Sequence, residues 1–216
     1  MKTYFISGIA SDNRVFRYIE LPQGFEAVLL DWIVPIENES LQQYSLRLSK
    51  QIDPSEPFIL LGFSLGGILA TEIANQLKPA ATILIASVPV ASQLPAHFSL
   101  AKKLKLHKLI PVSFLKMSAS MTRLFTAESL ANKKLMLDMM RKTDSAFIKW
   151  AINAVLDWKN EVIPDPCWHI HGTRDEVFPI SLTRPTHVIQ KAGHNLPMSR
   201  PSELNILLRQ ILEQKQ

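Results

Sequence analysis

Short apolar runs alternate along the chain with longer stretches in which apolar residues recur every three or four positions. The apolar runs are rich in branched and aromatic residues and end at turn residues, as β-strands do. Each run is nearly continuous, which is typical of strands covered on both faces. This pattern predicts strands at residues 4–7, 27–32, 58–63, 82–86, 168–171 and 186–190.

Helical periodicity fills the segments between most of these strands. One apolar stripe begins after Ser40, a residue type that caps helix N-termini. Its members are Leu41, Tyr44, Leu48 and Ile52. A second stripe spans residues 65–77 and ends before Pro79, which cannot continue a helix. Strands alternating with helices predict an α/β fold with a doubly wound, mainly parallel sheet.

The alternation stops between Ala86 and Cys167. This long segment shows helical periodicity and no strand pattern, with helices predicted at residues 104–115, 130–140 and 147–156. It is too long for a connection within a compact fold and too regular for a linker. We therefore predict a helical insertion at residues 88–164, between the two parts of one core at residues 1–87 and 165–216.

Composition excludes several classes of protein. The chain has 216 residues, of which 47% are hydrophobic and 20% charged, as in a soluble globular protein with one large domain. A net charge of +5 without a nucleic-acid-binding motif gives no indication of DNA or RNA binding. Cys167 is the single cysteine, which excludes an internal disulfide and fits a reducing compartment.

Two apolar stretches, at residues 3–10 and 79–101, are candidates for a targeting or membrane segment, and neither fits. Residues 3–10 are too short and too polar for a signal peptide. The uncharged part of residues 79–101 is divided by Pro79, Pro89 and Pro95, which argues for a strand and a loop instead of a membrane span. We expect a cytoplasmic protein without a transmembrane segment.

The most informative motif lies where the third predicted strand meets the following helix. Gly62-x-Ser64-x-Gly66 places a serine in the context of a nucleophile elbow, a strained turn that needs small residues on both sides. The alternatives are a generic turn with a capping serine, or a dinucleotide-binding fingerprint. The fingerprint fits less well, because it needs glycine where Ser64 stands. The elbow interpretation predicts a nucleophilic serine at the carboxyl end of the sheet.

A nucleophilic serine needs a base, and the base needs an acid to orient it. Two later strands end with suitable residues: Asp175 follows the fifth predicted strand and His194 follows the sixth. The carboxyl ends of neighbouring parallel strands meet at one edge of a sheet, so their loops should converge. The sequence thus predicts a catalytic triad of Ser64, Asp175 and His194.

A turn after the first predicted strand completes the predicted site. Backbone N–H groups of Ile9 or Ala10, beside Gly8, are candidates to pair with the N–H of Leu65 and bind an oxyanion. The chain has only seven glycines, and six lie in the four turns of the predicted site: Gly8, Gly62, Gly66, Gly67, Gly172 and Gly193.

With these motifs the chain resembles the α/β-hydrolase family over residues 3–87 and 165–213. The resemblance implies that Ser64 is the nucleophile, His194 the general base and then acid, and Asp175 the residue that orients His194. The chain departs from the family's pattern in two respects. It has Ser7-Gly8 where the family commonly has His-Gly, and it lacks the family's usual first two strands. A minimal member is implied, with six strands in the order 2-1-3-4-5-6 and residues 88–164 as a lid.

Several other residues have weaker claims to a chemical role. His169 and His171 face the same side of a strand, but without an evident third metal ligand they are better explained as core histidines. Asp31 is the second choice for the acid, and Asp12 is expected to cap a helix. Structural packing is predicted for Cys167, Trp150 and Trp158.

A cationic segment lies in the predicted lid. Residues 73–127 contain no Asp or Glu, while Lys78, Lys102, Lys103, Lys105, Lys108, Lys116 and Arg123 are basic. The simpler interpretation is a solvated helix face. The alternative is a surface that attracts an acidic partner, such as an acyl carrier protein, a nucleotide-bearing thioester or an anionic membrane surface.

Together these features predict a serine hydrolase that cleaves a carboxylic ester or thioester through an acyl-enzyme, without a metal or organic cofactor. One alternative retains the triad but uses His194 as the base for elimination or carbon–carbon bond cleavage. The other is a noncatalytic binding protein that retains the pocket.

Overall fold

A single parallel sheet forms the centre of the molecule. The computed structural model of the chain describes residues 1–103 and 129–214. Within them, six strands pair in the order β2-β1-β3-β4-β5-β6, and every pair is parallel. The strands are β1 (Lys2–Ile6), β2 (Glu26–Leu29), β3 (Phe58–Phe63), β4 (Ala81–Ile85), β5 (Cys167–Gly172) and β6 (His187–Ile189). The predicted fold class and strand order are confirmed.

Helices connect and cover the strands. They are α1 (Leu41–Leu48), α2 (Leu65–Leu77), α3 (Ala96–Lys103), α4 (Leu130–Lys142), α5 (Ser145–Leu156), α6 (Leu196–Ser199) and α7 (Pro201–Glu213). Two of the helices predicted in the insertion correspond to α4 and α5, and the one predicted at residues 104–115 lies outside the described residues. Between β5 and β6 the connection contains only the short 3-10 helix Ile180–Leu182.

The ends of α1 and α2 follow from local sequence signals. Ser40 caps α1 in a capping box: its Oγ accepts the N–H of Gln43, and the Gln43 side chain accepts the N–H of Ser40. Helix α2 ends at Leu77; its C-cap residue Lys78 has a left-handed φ of 51°, and Pro79 follows directly. Both boundaries agree with the sequence pattern.

Burial differs between the centre and the edge of the sheet. Every residue of β3 and β4 is buried, since apolar clusters cover both faces of these strands. Strand β2 departs from the prediction of two covered faces: it lies at the edge, and its Leu29 side chain is 45% exposed. An edge strand pairs on one side only, so a continuous apolar run does not by itself require burial.

Helices α4 and α5 pack against the core through aromatic and ionic contacts. The Trp150 ring lies 4.2 Å from that of Tyr44 between centroids, and Phe147 lies 4.8 Å from Trp32. Arg14, in the 3-10 helix Asn13–Phe16 that follows β1, contacts Asp138 of α4 at 2.7 Å. Both Trp150 and Trp158 are buried, which confirms their predicted packing role.

The cationic segment is described only in part. Lys102 forms an ion pair with Asp157 at 2.8 Å, and Lys103 is exposed. Four further members lie outside the described residues: Lys105, Lys108, Lys116 and Arg123. Of the helices in residues 1–103 and 129–214, none is both long and apolar enough to cross a membrane.

Candidate active site

Ser64 occupies a strained turn between β3 and α2. Its φ of 54° and ψ of −120° are unusual for a residue with a side chain. Two hydrogen bonds to residues at the end of β4 and just after it hold this conformation. The Ser64 N–H donates to the Ile85 carbonyl at 3.0 Å, and the Ser64 carbonyl accepts the Ser87 hydroxyl at 2.7 Å. The strain is thus offset by contacts with the neighbouring strand.

Two glycines permit the close approach that this turn requires. A Cβ on Gly62 would lie 2.2 Å from the Gly66 carbonyl oxygen, and one on Gly66 would lie 2.1 Å from that of Ile6. Neither distance is possible for a real side chain. The turn after β1 also reaches the serine, because a Cβ on Gly8 would lie 3.1 Å from the Ser64 Cβ.

The structure brings the predicted serine, histidine and aspartate together. His194 Nε2 lies 2.9 Å from Ser64 Oγ, and His194 Nδ1 lies 2.9 Å from Asp175 Oδ2. A carboxylate accepts hydrogen bonds, so the proton of a neutral His194 is on Nδ1, and Nε2 accepts the Ser64 hydroxyl. All three residues are buried, with exposed fractions of 5–8%. The arrangement directs a free imidazole lone pair at a serine hydroxyl.

Asp175 is held as a buried carboxylate. Its Oδ1 accepts the backbone N–H groups of Val177 and Phe178 at 2.9 Å each. Burial by itself would raise the pKa of Asp175, but the charges and hydrogen bonds of His194, His171 and the Phe178 N–H outweigh burial and lower that pKa. The carboxylate is therefore ionised near neutral pH and able to stabilise a charged His194.

His169 and His171 are interior residues, as predicted, with exposed fractions of 4% and 0%. Sequence reasoning missed their connection to Asp175. His169 Nε2 lies 2.9 Å from His171 Nδ1, and His171 Nε2 lies 3.3 Å from Asp175 Oδ2. The available signal was spacing: both side chains leave β5 on one face, and His171 stands just before the Asp175 turn. Among the described residues, no cluster of three or more His, Cys, Asp or Glu could hold a metal ion.

The remaining candidates have other roles. Asp12 caps the 3-10 helix Asn13–Phe16 by accepting the Arg14 N–H, as predicted. Asp31 is exposed and accepts a hydrogen bond from Asn13 at 3.0 Å, whereas His194 Nδ1 contacts Asp175. The predicted burial of Cys167 is only partial, because this residue opens β5. Burial still raises its pKa to about 12, so the thiol is protonated.

The two proposed oxyanion donors lie on loops that meet at Ser64. Leu65 opens α2, where the first backbone N–H groups have no acceptor within the helix. Ile9 lies in the turn from Gly8 to Ser11, which is closed by the Ser11 N–H and hydroxyl on the Gly8 carbonyl at 3.3 and 2.9 Å. Both loops are at the carboxyl edge of the sheet, beside the serine.

A cavity of about 340 Å³ includes Ser11, the last residue of the turn from Gly8 to Ser11, in its wall. It lies between the loops after β1 and β2 and the junction of α4 and α5, and its lining includes Ser11, Trp32, Met139, Ala146 and Phe147. Its size is that of a small-molecule site. Ser64, Asp175 and His194 are not among its lining residues, and Ser11 connects its wall to the turn that begins at Gly8.

The sequence also matches the model of a known protein family. A model described as the alpha/beta hydrolase family matches residues 7–205. The chain belongs to the alpha/beta hydrolase family. In this hydrolase the match runs from the residue after β1 into α7 and includes Ser64, Asp175 and His194. A comparison with curated protein sequences found no significant match.

Solved structures share the hydrolase fold at low sequence identity. MenH from S. aureus is 15% identical with a TM-score of 0.79, over 100% of this chain and 94% of that chain. A thermophilic esterase from Thermogutta terrifontis is 15% identical with a TM-score of 0.76, over 99% and 90%. The esterase EaEST from Exiguobacterium antarcticum is 16% identical with a TM-score of 0.75, over 100% and 92%. These likenesses concern the fold, and family membership supports hydrolase activity.

The elbow geometry predicts different costs for two glycine substitutions. Gly66→Ala should lower the free energy of unfolding of this hydrolase by about 3 kcal/mol or more, because its Cβ would overlap the Ile6 carbonyl. Gly193→Ala is the matched control, since its Cβ would meet only the Arg174 oxygen, at 3.9 Å, and should change stability by less than about 1 kcal/mol. Urea unfolding measures both variants. Equal losses would contradict the proposed steric requirement.

Proposed function

We propose that the protein is a serine hydrolase that cleaves a carboxylic ester or thioester through an acyl-Ser64 intermediate. The observation that carries this proposal is the continuous contact from Ser64 Oγ through His194 to the buried Asp175, with 2.9 Å at each step. Membership of a hydrolase family and the strained turn at Ser64 support it.

The proposed reaction begins with acylation of Ser64. Oγ attacks the carbonyl carbon while His194 Nε2 takes the hydroxyl proton, and Asp175 stabilises the resulting imidazolium. The oxyanion of the tetrahedral intermediate accepts N–H groups of Leu65 and Ile9. When the intermediate collapses, His194 gives its proton to the departing alcohol or thiol, and the acyl group remains on Ser64.

Deacylation repeats these roles with water as the nucleophile. His194 Nε2 takes a proton from water, whose oxygen attacks the acyl carbonyl carbon. Collapse of the second tetrahedral intermediate breaks the bond to Ser64, and His194 returns the proton to Oγ. The products are a carboxylic acid and the free enzyme. Every proton is carried by His194, so the steps need no metal or organic cofactor.

The cavity beside the Gly8–Ser11 turn is the proposed binding site for the apolar part of the substrate. Its wall includes the apolar side chains of Trp32, Met139 and Phe147. Two of these belong to α4 and α5, which supports residues 88–164 as the proposed lid over the core. The alternative that the cationic segment attracts an acidic carrier remains a prediction.

The role of Ser64 is tested by its removal. Ser64→Ala should leave a folded protein and reduce hydrolysis of p-nitrophenyl butyrate by about 10⁴- to 10⁶-fold, because nucleophile and base act as a unit. Steady-state kinetics and thermal unfolding check both expectations. Retention of more than about a tenth of the activity would contradict acylation of Ser64 and favour a mechanism with His194 as the base for elimination.

The identity of the acid is tested by two matched substitutions. Asp175→Asn should reduce kcat by about 10⁴-fold, since the amide no longer holds the required His194 tautomer. Asp31→Asn makes the same chemical change at an exposed residue and should alter kcat by less than about threefold. Nitrophenyl ester hydrolysis by both variants gives the ranking. A larger loss for Asp31→Asn would place the acid after β2.

The proposed acyl cavity is tested by narrowing it. Ala146→Trp should reduce kcat/KM for p-nitrophenyl octanoate at least about tenfold more than for the acetate, because the longer chain needs the filled volume. Ser145→Trp is the control, since this exposed neighbour is not in the lining. A profile across acyl chain lengths makes the comparison. Equal effects of Ala146→Trp on both esters would show that the acyl chain binds elsewhere.

A further inference from the structure

His171 lies directly behind the acid of the candidate site and has no exposed surface. Its Nε2 is 2.7 Å from the Phe178 carbonyl oxygen and 3.3 Å from Asp175 Oδ2. Its Nδ1 is 2.9 Å from His169 Nε2. Neither the reaction steps proposed above nor the packing of the core uses these contacts. They connect a buried pair of histidines to the carboxylate that holds His194.

The hydrogen-bond partners determine where the protons of this pair lie. A carbonyl oxygen only accepts, so His171 Nε2 carries a proton and donates to Phe178. Burial lowers the pKa of His171 and lowers that of His169 to about 3, so both rings are neutral near pH 7. His171 Nδ1 is then unprotonated and accepts the N–H of His169 Nε2. His169 thereby fixes the tautomer in which His171 directs its Nε2–H at the Phe178 carbonyl, with Asp175 Oδ2 beside it at 3.3 Å.

His171 also fixes the turn that holds the carboxylate. The Phe178 N–H donates to Asp175 Oδ1, while the carbonyl of the same residue accepts from His171. The Phe178 ring lies 5.8 Å from the His194 ring between centroids. Residues 175–178 are therefore tied to β5 through one imidazole, which restricts rotation of the carboxyl group.

We propose that His171 is a positioning residue of the triad, which holds the Asp175 carboxylate in the orientation that His194 requires, and that His169 fixes the His171 tautomer. This inference rests on the proposed function of Ser64, Asp175 and His194. His171 touches no reacting atom and acts through Asp175 and the Phe178 carbonyl. Its effect should appear in kcat, because the carboxylate is needed most when His194 becomes charged.

The environment of the pair agrees with this role. The titratable groups that face His171 are His169, Asp175 and His194. The Ser87 backbone also lies within hydrogen-bonding reach of His169. Within the part of the chain that the structure describes, Asp175 is thus the one acidic group in contact with the pair, and the His171 Nε2–H that donates to Phe178 lies 3.3 Å from its Oδ2.

The test compares three variants of the full chain. His171→Phe keeps a ring of similar shape and removes the N–H. His171→Gln restores an amide N–H near the position of Nε2 and a carbonyl that can accept from His169. Ile170→Ala is the matched control for stability, because this neighbour on β5 is also fully buried but lies on the opposite face. Hydrolysis of p-nitrophenyl butyrate and thermal unfolding are measured for each.

We expect His171→Phe to lower kcat about 10- to 100-fold with KM changed less than about twofold, by analogy with residues that orient metal ligands. His171→Gln should recover kcat to within about fivefold of the wild type. Ile170→Ala should lower the unfolding temperature without lowering kcat more than about twofold. Equal kcat for His171→Phe and wild type, or equal kcat losses for His171→Phe and Ile170→Ala, would overturn the proposal.

NMR of the histidine rings tests the inference without any turnover. Long-range proton–nitrogen correlations of the wild-type protein should show His169 and His171 as Nε2–H tautomers and His194 as Nδ1–H. The low-field Nδ1–H signal of His194 should weaken in His171→Phe and return in His171→Gln. An Nδ1–H tautomer of His171 would overturn the positioning role even if the variants do not fold. Hydrolysis that survives Ser64→Ala would instead contradict only the proposed function.

Discussion

The candidate site depends on one steric constraint: the start of α2 must touch the backbone of two strands. Gly66 lies against the Ile6 carbonyl at the end of β1, and Gly62 lies against the first turn of α2. This approach turns the backbone sharply at Ser64, with a positive φ. Such a conformation costs about 1–3 kcal/mol, which the hydrogen bonds to Ile85 and Ser87 offset. The serine side chain is consequently presented at the carboxyl edge of the sheet.

The same edge collects groups that would be unfavourable if they were buried alone. Asp175 is ionised in the interior because three donors bond to it, His194 and the backbone N–H groups of Val177 and Phe178, and because His171 lies 3.3 Å away. The burial that makes isolated charge costly also strengthens the attraction between this carboxylate and a charged His194. The backbone strain at Ser64 and the buried charge of Asp175 are therefore both unfavourable by themselves, and the contacts around each residue offset that cost. This combination is what distinguishes the region from an ordinary strand-to-helix turn.

The strand order and the convergence of Ser64, Asp175 and His194 were accessible from sequence, because parallel strands bring their carboxyl ends to one edge. Strand β3 was predicted at its observed bounds, since six consecutive buried residues are followed by a glycine-flanked serine. The exposure of β2 was not, because an edge strand and a central strand can carry the same apolar run. The sequence also did not show that Gly193, unlike Gly62 and Gly66, has room for a side chain: a Cβ there would meet only the Arg174 oxygen, at 3.9 Å. The tie from His171 to Asp175 escaped sequence analysis, since it depends on ring orientation and on the return of the chain at Phe178.

The central claim is that the contacts of His194 and Asp175 activate the Ser64 hydroxyl. Reaction with a fluorophosphonate probe, followed by peptide mapping and by rate measurement in the His194→Ala variant, tests this claim most directly. The account predicts a single covalent adduct on Ser64 and labelling at least about 100-fold slower without His194. An adduct absent from Ser64, or one formed equally fast in His194→Ala, would contradict it.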